Sequence, residues 1–396
     1  MKIGIITYTF NIGGVSTFIL SLGKYFKEQG HSIEIITEED KGIWFDEINK
    51  EGFAADSISS KYFSWLPFGL PIHSYRVGKL IKNKKFDVVL LNNCLYAQLA
   101  AHLYNKNSVV ISIVHNNNKG IFQVAARNTS NISAIACVSF AAFNGIKKIT
   151  DFNNVYCIPN GIPLPQRKPC FPKVKDNNTL SIISVGHLAN EQKGIFFFPY
   201  ILKKCKEKNY SNIHLTIVGN GNDKNELVRL LKENNVYEMV TFRGHLPRLE
   251  VYDLYLSHHI FLMTSLYEGL PLTLLEAMAC GCVPVVSYLK DITDFCIEDH
   301  KDGFLCQIGD TDAFADRITY LASNPSMIDE MGSRCAQKIV SSFSIQKMGE
   351  EYLNLIHQLK DAKICYSGFR MHNFSWKDIF PRKLILSVKK IINKIK

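Results

Sequence analysis

Short apolar runs recur along the first 160 residues, each closed by a turn of glycine, asparagine or serine. Runs at 2–7, 32–37, 86–92, 109–114, 134–139 and 155–159 are rich in isoleucine and valine and predict strands. Between the first two, residues 16–29 place apolar side chains at helical spacing and predict a helix. Residues 163–178, rich in proline, lysine and asparagine, break the pattern and predict a linker. The pattern then restarts. Strands are predicted at 180–186, 214–218, 239–242, 260–263 and 283–286, and helices at 196–209, 223–234, 249–256 and 345–360. No repeat of 20–50 residues is visible. Alternation of this kind predicts an α/β chain of two Rossmann-like, doubly wound domains facing across a cleft, with ligands at the carboxyl ends of the strands. The expected boundaries are 1–165, a linker at 166–179, 180–345, a helix at 346–360 and a tail at 361–396.

One segment departs from simple patterning. Glu268 lies in a glycine–proline loop, and Glu276 lies eight residues on, inside an apolar run that predicts a helix beginning at Pro271 and ending near Gly281. Leu274, Leu275, Ala277, Met278 and Ala279 surround Glu276, so its carboxylate is costly to bury without a hydrogen-bonding partner. A sugar diol supplies two donors; a nearby arginine would serve equally. Glu268 just precedes the expected helix start, where free N–H groups and the helix dipole favour a phosphate. A nucleotide-sugar site requires both kinds of contact.

Other residues fit such a site with a plain structural reading beside each. Gly13 and Gly14 after the first strand let backbone amides approach an oxyanion, or simply make a tight turn; the G-x-G-x-x-G fingerprint is absent. His187 and Lys193 follow the first strand of the second half, where Lys193 is either a phosphate clamp or a solvated loop lysine. Gly219 and Gly221 join a strand to a helix, and Arg243 opens Arg243-Gly244-His245-Leu246. His115 follows the strand 109–114 and precedes Asn116, Asn117 and Asn118. No D-x-D pair occurs in a credible site, so neither a metal nor a cofactor is expected.

Composition sharpens the picture at two points. A chain of 396 residues, 46% hydrophobic, can bury two or three cores. Eleven scattered cysteines with no C-x2-C spacing predict free buried thiols. No run of about 18 apolar residues occurs, and the first apolar stretch is too short for a signal peptide, so a cytoplasmic protein is expected. The charge is uneven. Residues 361–396 carry nine Lys/Arg against two Asp/Glu, which is +7 of the total +10 and leaves only +3 for the rest. That speaks against nucleic acid and for a local anionic partner. Leu384, Ile385, Val388, Ile391, Ile392 and Ile395 share one helical face, with lysines largely elsewhere. Fifteen such residues span about 22 Å, too short and charged to cross a bilayer but suited to lie on one. Residues 377–396 are therefore expected to bind an anionic membrane surface, with the aromatic loop 63–68 as a second contact.

The wording Ser265-x-x-Glu268-Gly269-Leu270-Pro271, followed by Glu276-Ala277-Met278-Ala279 and by Pro284-Val285-Val286, resembles the donor-binding segment of the retaining, metal-independent glycosyltransferases of family 4. The resemblance implies the GT-B fold, an acceptor-binding first domain, a nucleotide-sugar-binding second domain and a C-terminal helix packed back towards the first. It implies that Lys193, Gly13 and Gly14 face the donor diphosphate and that Gly219 and Gly221 lie along the nucleotide, with Arg243 beside the base. Glu276 would hold the ribose and Gly269 and Leu270 line the donor. His115 and Glu268 would act at the donor sugar, completing a catalytic set with Lys193. Two positions depart from the family: His187 stands where an arginine is usual, and Pro163 follows Asn160-Gly161-Ile162 where aspartate is common. The implied activity is transfer from a nucleotide-diphosphate sugar, UDP-linked before GDP-mannose, to a glycan hydroxyl on a membrane lipid, by a peripheral protein of the cytoplasmic membrane's inner face. A nucleotide-sugar epimerase would need an acid–base carboxylate pair in the first domain, and none is apparent; the His187 departure leaves room for a binding protein without turnover.

Overall fold

A computed structural model describes residues 1–60, 68–173 and 179–362. The amphipathic tail 377–396 and nearly all of the aromatic loop 63–68 lie outside the described residues. The chain divides into two compact units, residues 1–159 together with residues from 348, and residues 160–347.

The first unit holds a seven-stranded parallel sheet in the order β3-β2-β1-β4-β5-β6-β7. Its strands are β1 Lys2–Thr7, β2 Ser32–Thr37, β3 Ala54–Ser57, β4 Val88–Asn92, β5 Val109–Val114, β6 Ala134–Cys137 and β7 Val155–Cys157. β4 and β5 are buried along their whole length, which explains their unbroken apolar wording. β3, an edge strand reading Ala-Ala-Asp-Ser, is partly exposed and carries too few apolar residues for its pattern to show. The helix Gly69–Lys84 was equally hard to read, because Gly69 and Pro71 occupy its first turn. The last helix of the described residues, Ile345–Asp361, packs in this unit: Tyr352 meets Phe18 at 6.1 Å, and a Cβ on Gly349 would come within 2.2 Å of the Tyr25 ring.

The second unit holds a six-stranded parallel sheet in the order β10-β9-β8-β11-β12-β13. These are β8 Leu180–Val185, β9 Ile213–Val218, β10 Val240–Gly244, β11 Ile260–Met263, β12 Val283–Ser287 and β13 Phe304–Cys306. Its helices Thr311–Ser323 and Pro325–Ser342 begin on local signals, an Asp310 side chain accepting from the Ala313 N–H and a proline in the first turn. Pro271 is a small correction: it is the residue before the helix Leu272–Ala279, with extended ψ, not its first residue. In each sheet the strand order reverses once, between β1 and β4 and between β8 and β11. Such points leave a crevice at the carboxyl ends.

Candidate functional site

In the second unit the loops leaving β8 and β11 are fastened together. Lys193 ends a short helical turn, Asn190–Lys193, whose start is held by Asp223 Oδ2 accepting from the Asn190 N–H at 2.6 Å. Gly194 follows with φ +58°, and a Cβ there would sit 2.2 Å from the Thr264 carbonyl oxygen. The Thr264 hydroxyl donates to the carbonyls of Lys193 and Gly194, and the Leu266 N–H donates to Gln192 O at 2.8 Å. Only glycine permits this approach, which fixes the lysine over the end of β11.

The consequence is an ion pair. Lys193 Nζ lies 2.6 Å from Glu268 Oε1, and the buried Ser265 hydroxyl donates to the same oxygen at 2.7 Å. Gln192 Nε2 reaches the other carboxylate oxygen at 3.4 Å. Glu268 is only 6% exposed, so the pair stands in a medium where charges act strongly. An ammonium has three donors, and one is engaged with Glu268. Lys193, Ser265, Thr264, Gly186, His187 and Leu188 line a pocket at the β8 and β11 ends.

Glu276 is buried in the helix Leu272–Ala279, as its neighbours require. Its partner is Arg248, whose Nη2 donates to Oε1 at 2.9 Å from the first residue of the helix Arg248–Ser257. Burial pushes the Glu276 carboxyl above the usual range, and the Arg248 charge draws it back. Gly269 and Leu270, both buried, separate the two glutamates in the loop, and the Leu270 carbonyl accepts from Asn160 Nδ2 at 3.3 Å. Gly219, at φ +132°, has no room for a Cβ, which would fall 1.9 Å from the Gly186 carbonyl oxygen, and its N–H donates to Gly244 O. Gly221 is closed in the same way against Leu188. Both glycines are thus required by loop-to-loop packing. His187 and Arg243 are exposed, Arg243 beside an irregularity in the edge strand β10. Neither joins the hydrogen bonds around Lys193, Glu268 and Glu276.

In the first unit, Gly13 precedes the helix Gly14–Glu28, which has no side-chain cap, and space around Gly13 is open. Phe18 of that helix stands edge-on to His115 at 4.7 Å. His115 is buried, and Nε2 lies 2.8 Å from Asn92 Oδ1. Asn92 Nδ2 donates to Ile6 O, so Oδ1 is the acceptor and His115 Nε2 carries the proton. Desolvation lowers the His115 pKa to about 3, so the ring is neutral and Nδ1 remains an acceptor. Asn118 Oδ1 accepts from the Gly120 N–H and caps the helix Lys119–Ala125.

Sequence reasoning missed Arg248, which lies one residue ahead of the helix expected at 249–256. No local pattern links it to Glu276. The roles of Ser265 and Gln192 were missed too, though a serine three residues before a glutamate was a visible signal.

Residues 168–338 match the family model described as Glycosyl transferases group 1, and residues 12–166 match that of Glycosyltransferase Family 4. The chain is 22% identical to N-acetyl-alpha-D-glucosaminyl L-malate synthase of Bacillus anthracis, over 92% of this chain and 98% of that protein. It is 26% identical to UDP-Gal:alpha-D-GlcNAc-diphosphoundecaprenol alpha-1,3-galactosyltransferase of Escherichia coli, over 70% and 76% respectively. Among solved structures it resembles S. aureus TarM in complex with fondaparinux, alpha-GlcNAc-glycerol and UDP, with TM-score 0.76 and 16% identity, covering 90% of this chain and 99% of that one. The likeness in fold extends over both sheets.

Proposed function

The chain belongs to the family 4 glycosyltransferases of the GT-B fold, and we propose that it moves a sugar from a UDP-sugar to a hydroxyl of a lipid-carried glycan, with retention at the anomeric carbon. The observation that supports this best is the Lys193–Glu268 pair, 2.6 Å apart at adjacent strand ends, with Glu276 buried eight residues on. A departing diphosphate needs positive charge, and Lys193 has donors beyond the one engaged with Glu268. The N–H groups of Gly13 and Gly14 add to it. Glu268, held by Ser265, favours the positive charge that develops at the anomeric carbon. Neutral His115 offers Nδ1 to a hydroxyl of the donor sugar and does not titrate between pH 5 and 8. Glu276 holds the ribose. UDP is preferred because the TarM structure is described with UDP and the E. coli relative is named for UDP-Gal. The lipid-carried acceptor follows the diphosphoundecaprenol in the latter name.

A donor-hydrolysis screen over UDP-, GDP-, ADP- and dTDP-sugars tests the reading. Release of one nucleoside diphosphate, with transfer when an acceptor glycan is added, supports it. Interconversion of sugar epimers, or binding with no turnover, overturns it. Within that reading, Glu276→Ala is expected to weaken UDP roughly 10- to 100-fold, the scale of hydrogen bonds to a charged group, while changing kcat far less. Isothermal titration calorimetry measures this, and unchanged affinity would remove Glu276 from the site.

We further propose that the tail holds the protein on the cytoplasmic face of the membrane. Among the described residues no helix is long and apolar enough to cross a bilayer. Support for a surface position comes from the single apolar stripe and five lysines within 383–396, each lysine near an anionic leaflet adding roughly 1 kcal/mol. Deleting residues 377–396 is expected to abolish flotation with phosphatidylglycerol-rich vesicles at low salt and to spare donor hydrolysis. Vesicle binding that survives the deletion and is indifferent to salt would refute the placement.

A further inference from the structure

Arg248 lies outside the motif segments quoted above, though within the stretch 168–338 that the family model matches, and it makes the hydrogen bond that this structure shows on the Glu276 carboxylate. Its guanidinium is held by two residues, Glu276 and Tyr252. Nη2 donates to Glu276 Oε1 at 2.9 Å, the guanidinium carbon stands 5.5 Å from the centre of the Tyr252 ring, and Tyr252 OH is itself tied to the Pro163 carbonyl at 2.9 Å. Arg248 Nε is buried with no hydrogen-bond partner among the described residues. A planar cation held by ring stacking and by one carboxylate oxygen leaves the other oxygen as the open acceptor. A buried carboxylate that must receive a vicinal diol is useful only if it is ionised and held in one rotamer.

We propose that Arg248 is a positioning residue for donor binding, setting the Glu276 carboxylate in place for the two ribose hydroxyls of the nucleotide. The inference rests on the assignment of Glu276 to the ribose given above. It makes Arg248 act through Glu276 alone, with no contact of its own to the reacting atoms. The charge matters because burial by itself favours the protonated carboxyl. A protonated carboxyl has lost acceptor capacity, and a proton on the oxygen left open by Arg248 would turn a donor towards the diol. Without Arg248 the carboxyl rises further, so nucleotide affinity falls away as the pH drops, and the fall begins at higher pH than in the native protein.

The experiment titrates UDP and 2′,3′-dideoxy-UDP by calorimetry from pH 5.5 to 8.5. The native protein is compared with Glu276→Ala, Arg248→Gln and Arg248→Lys. The native protein is expected to prefer the ribose form by about tenfold or more. Glu276→Ala should bring that preference to about one. Arg248→Gln should collapse it similarly near pH 6, and should move the pH at half-maximal affinity upwards by about one unit or more, as expected for the loss of an adjacent opposite charge. Arg248→Lys should keep most of the preference. A merely structural arginine would weaken both nucleotides equally and leave the ratio and the pH profile alone. If Glu276→Ala removes the preference while Arg248→Gln keeps it at every pH, the positioning role is overturned. If Glu276→Ala itself keeps it, the ribose assignment has failed instead. Should circular dichroism show Arg248→Gln unfolded, Arg248→Met, which fills the same space, takes its place under the same criteria.

Discussion

Lys193→Ala is expected to lower kcat/KM by about 10³-fold or more, placing the variant near inactivity. Two effects add. On the proposed assignment the departing diphosphate loses the side-chain cation that Lys193 supplies, and His187 stands where the family usually has an arginine. The Glu268 carboxylate, 6% exposed and paired with Lys193 at 2.6 Å, is then left uncompensated beside the site, where it repels the incoming phosphates. Lys193→Arg should retain part of the activity, and His187→Arg should be tolerated and tighten the donor. Single-turnover donor hydrolysis, with a thermal melt to separate folding from chemistry, decides the matter. Lys193→Ala within tenfold of the native rate would move the phosphate clamp elsewhere.

Glu268→Ala is expected to lower kcat by roughly 10²-fold or more with a much smaller change in donor affinity, because its charge acts on the transition state rather than on the bound donor. The same change leaves the Lys193 ammonium free to hold the diphosphate more tightly, so the KM for donor should fall or stay level. Ser265→Ala offers a graded version, since it removes one hydrogen bond of 2.7 Å while leaving the charge. Since Lys193 and Glu268 are in direct contact, the double variant should lose much less than the product of the two single losses. Full additivity, or a Glu268→Ala effect confined to KM, would contradict the assignment.

Much of the fold was legible because parallel strands buried on both faces read as unbroken apolar runs. β1, β2, β5 and β11 coincide with the runs at 2–7, 32–37, 109–114 and 260–263. The elements that escaped lack that signal. β3 and β13 are four and three residues long, and the helix Gly69–Lys84 opens on glycine and proline. The site was legible only as far as its wording was contiguous. Glu268 and Glu276 share one segment, and the lysine and glycine at 193 and 194 declare a tight loop. That Lys193 meets Glu268, 75 residues away, and that Arg248 meets Glu276, 28 residues away, are products of strand order and helix packing. Gly219 and Gly221, which the family resemblance sets along the nucleotide, have backbone atoms of the loop after β8 where a Cβ would fall, a tertiary reason for glycine that no local pattern shows.

The last helix of the described residues, Ile345–Asp361, has a bearing on how the protein is made. The second unit is complete in a continuous stretch, 160–347, whereas the first needs residues that are synthesised after it. A nascent chain halted at residue 347 would therefore own a finished six-stranded sheet, while Phe18 and Tyr25 waited uncovered for Tyr352 and Gly349. During synthesis the later-encoded unit can therefore settle first, and the earlier one can close only once the helix Ile345–Asp361 has emerged.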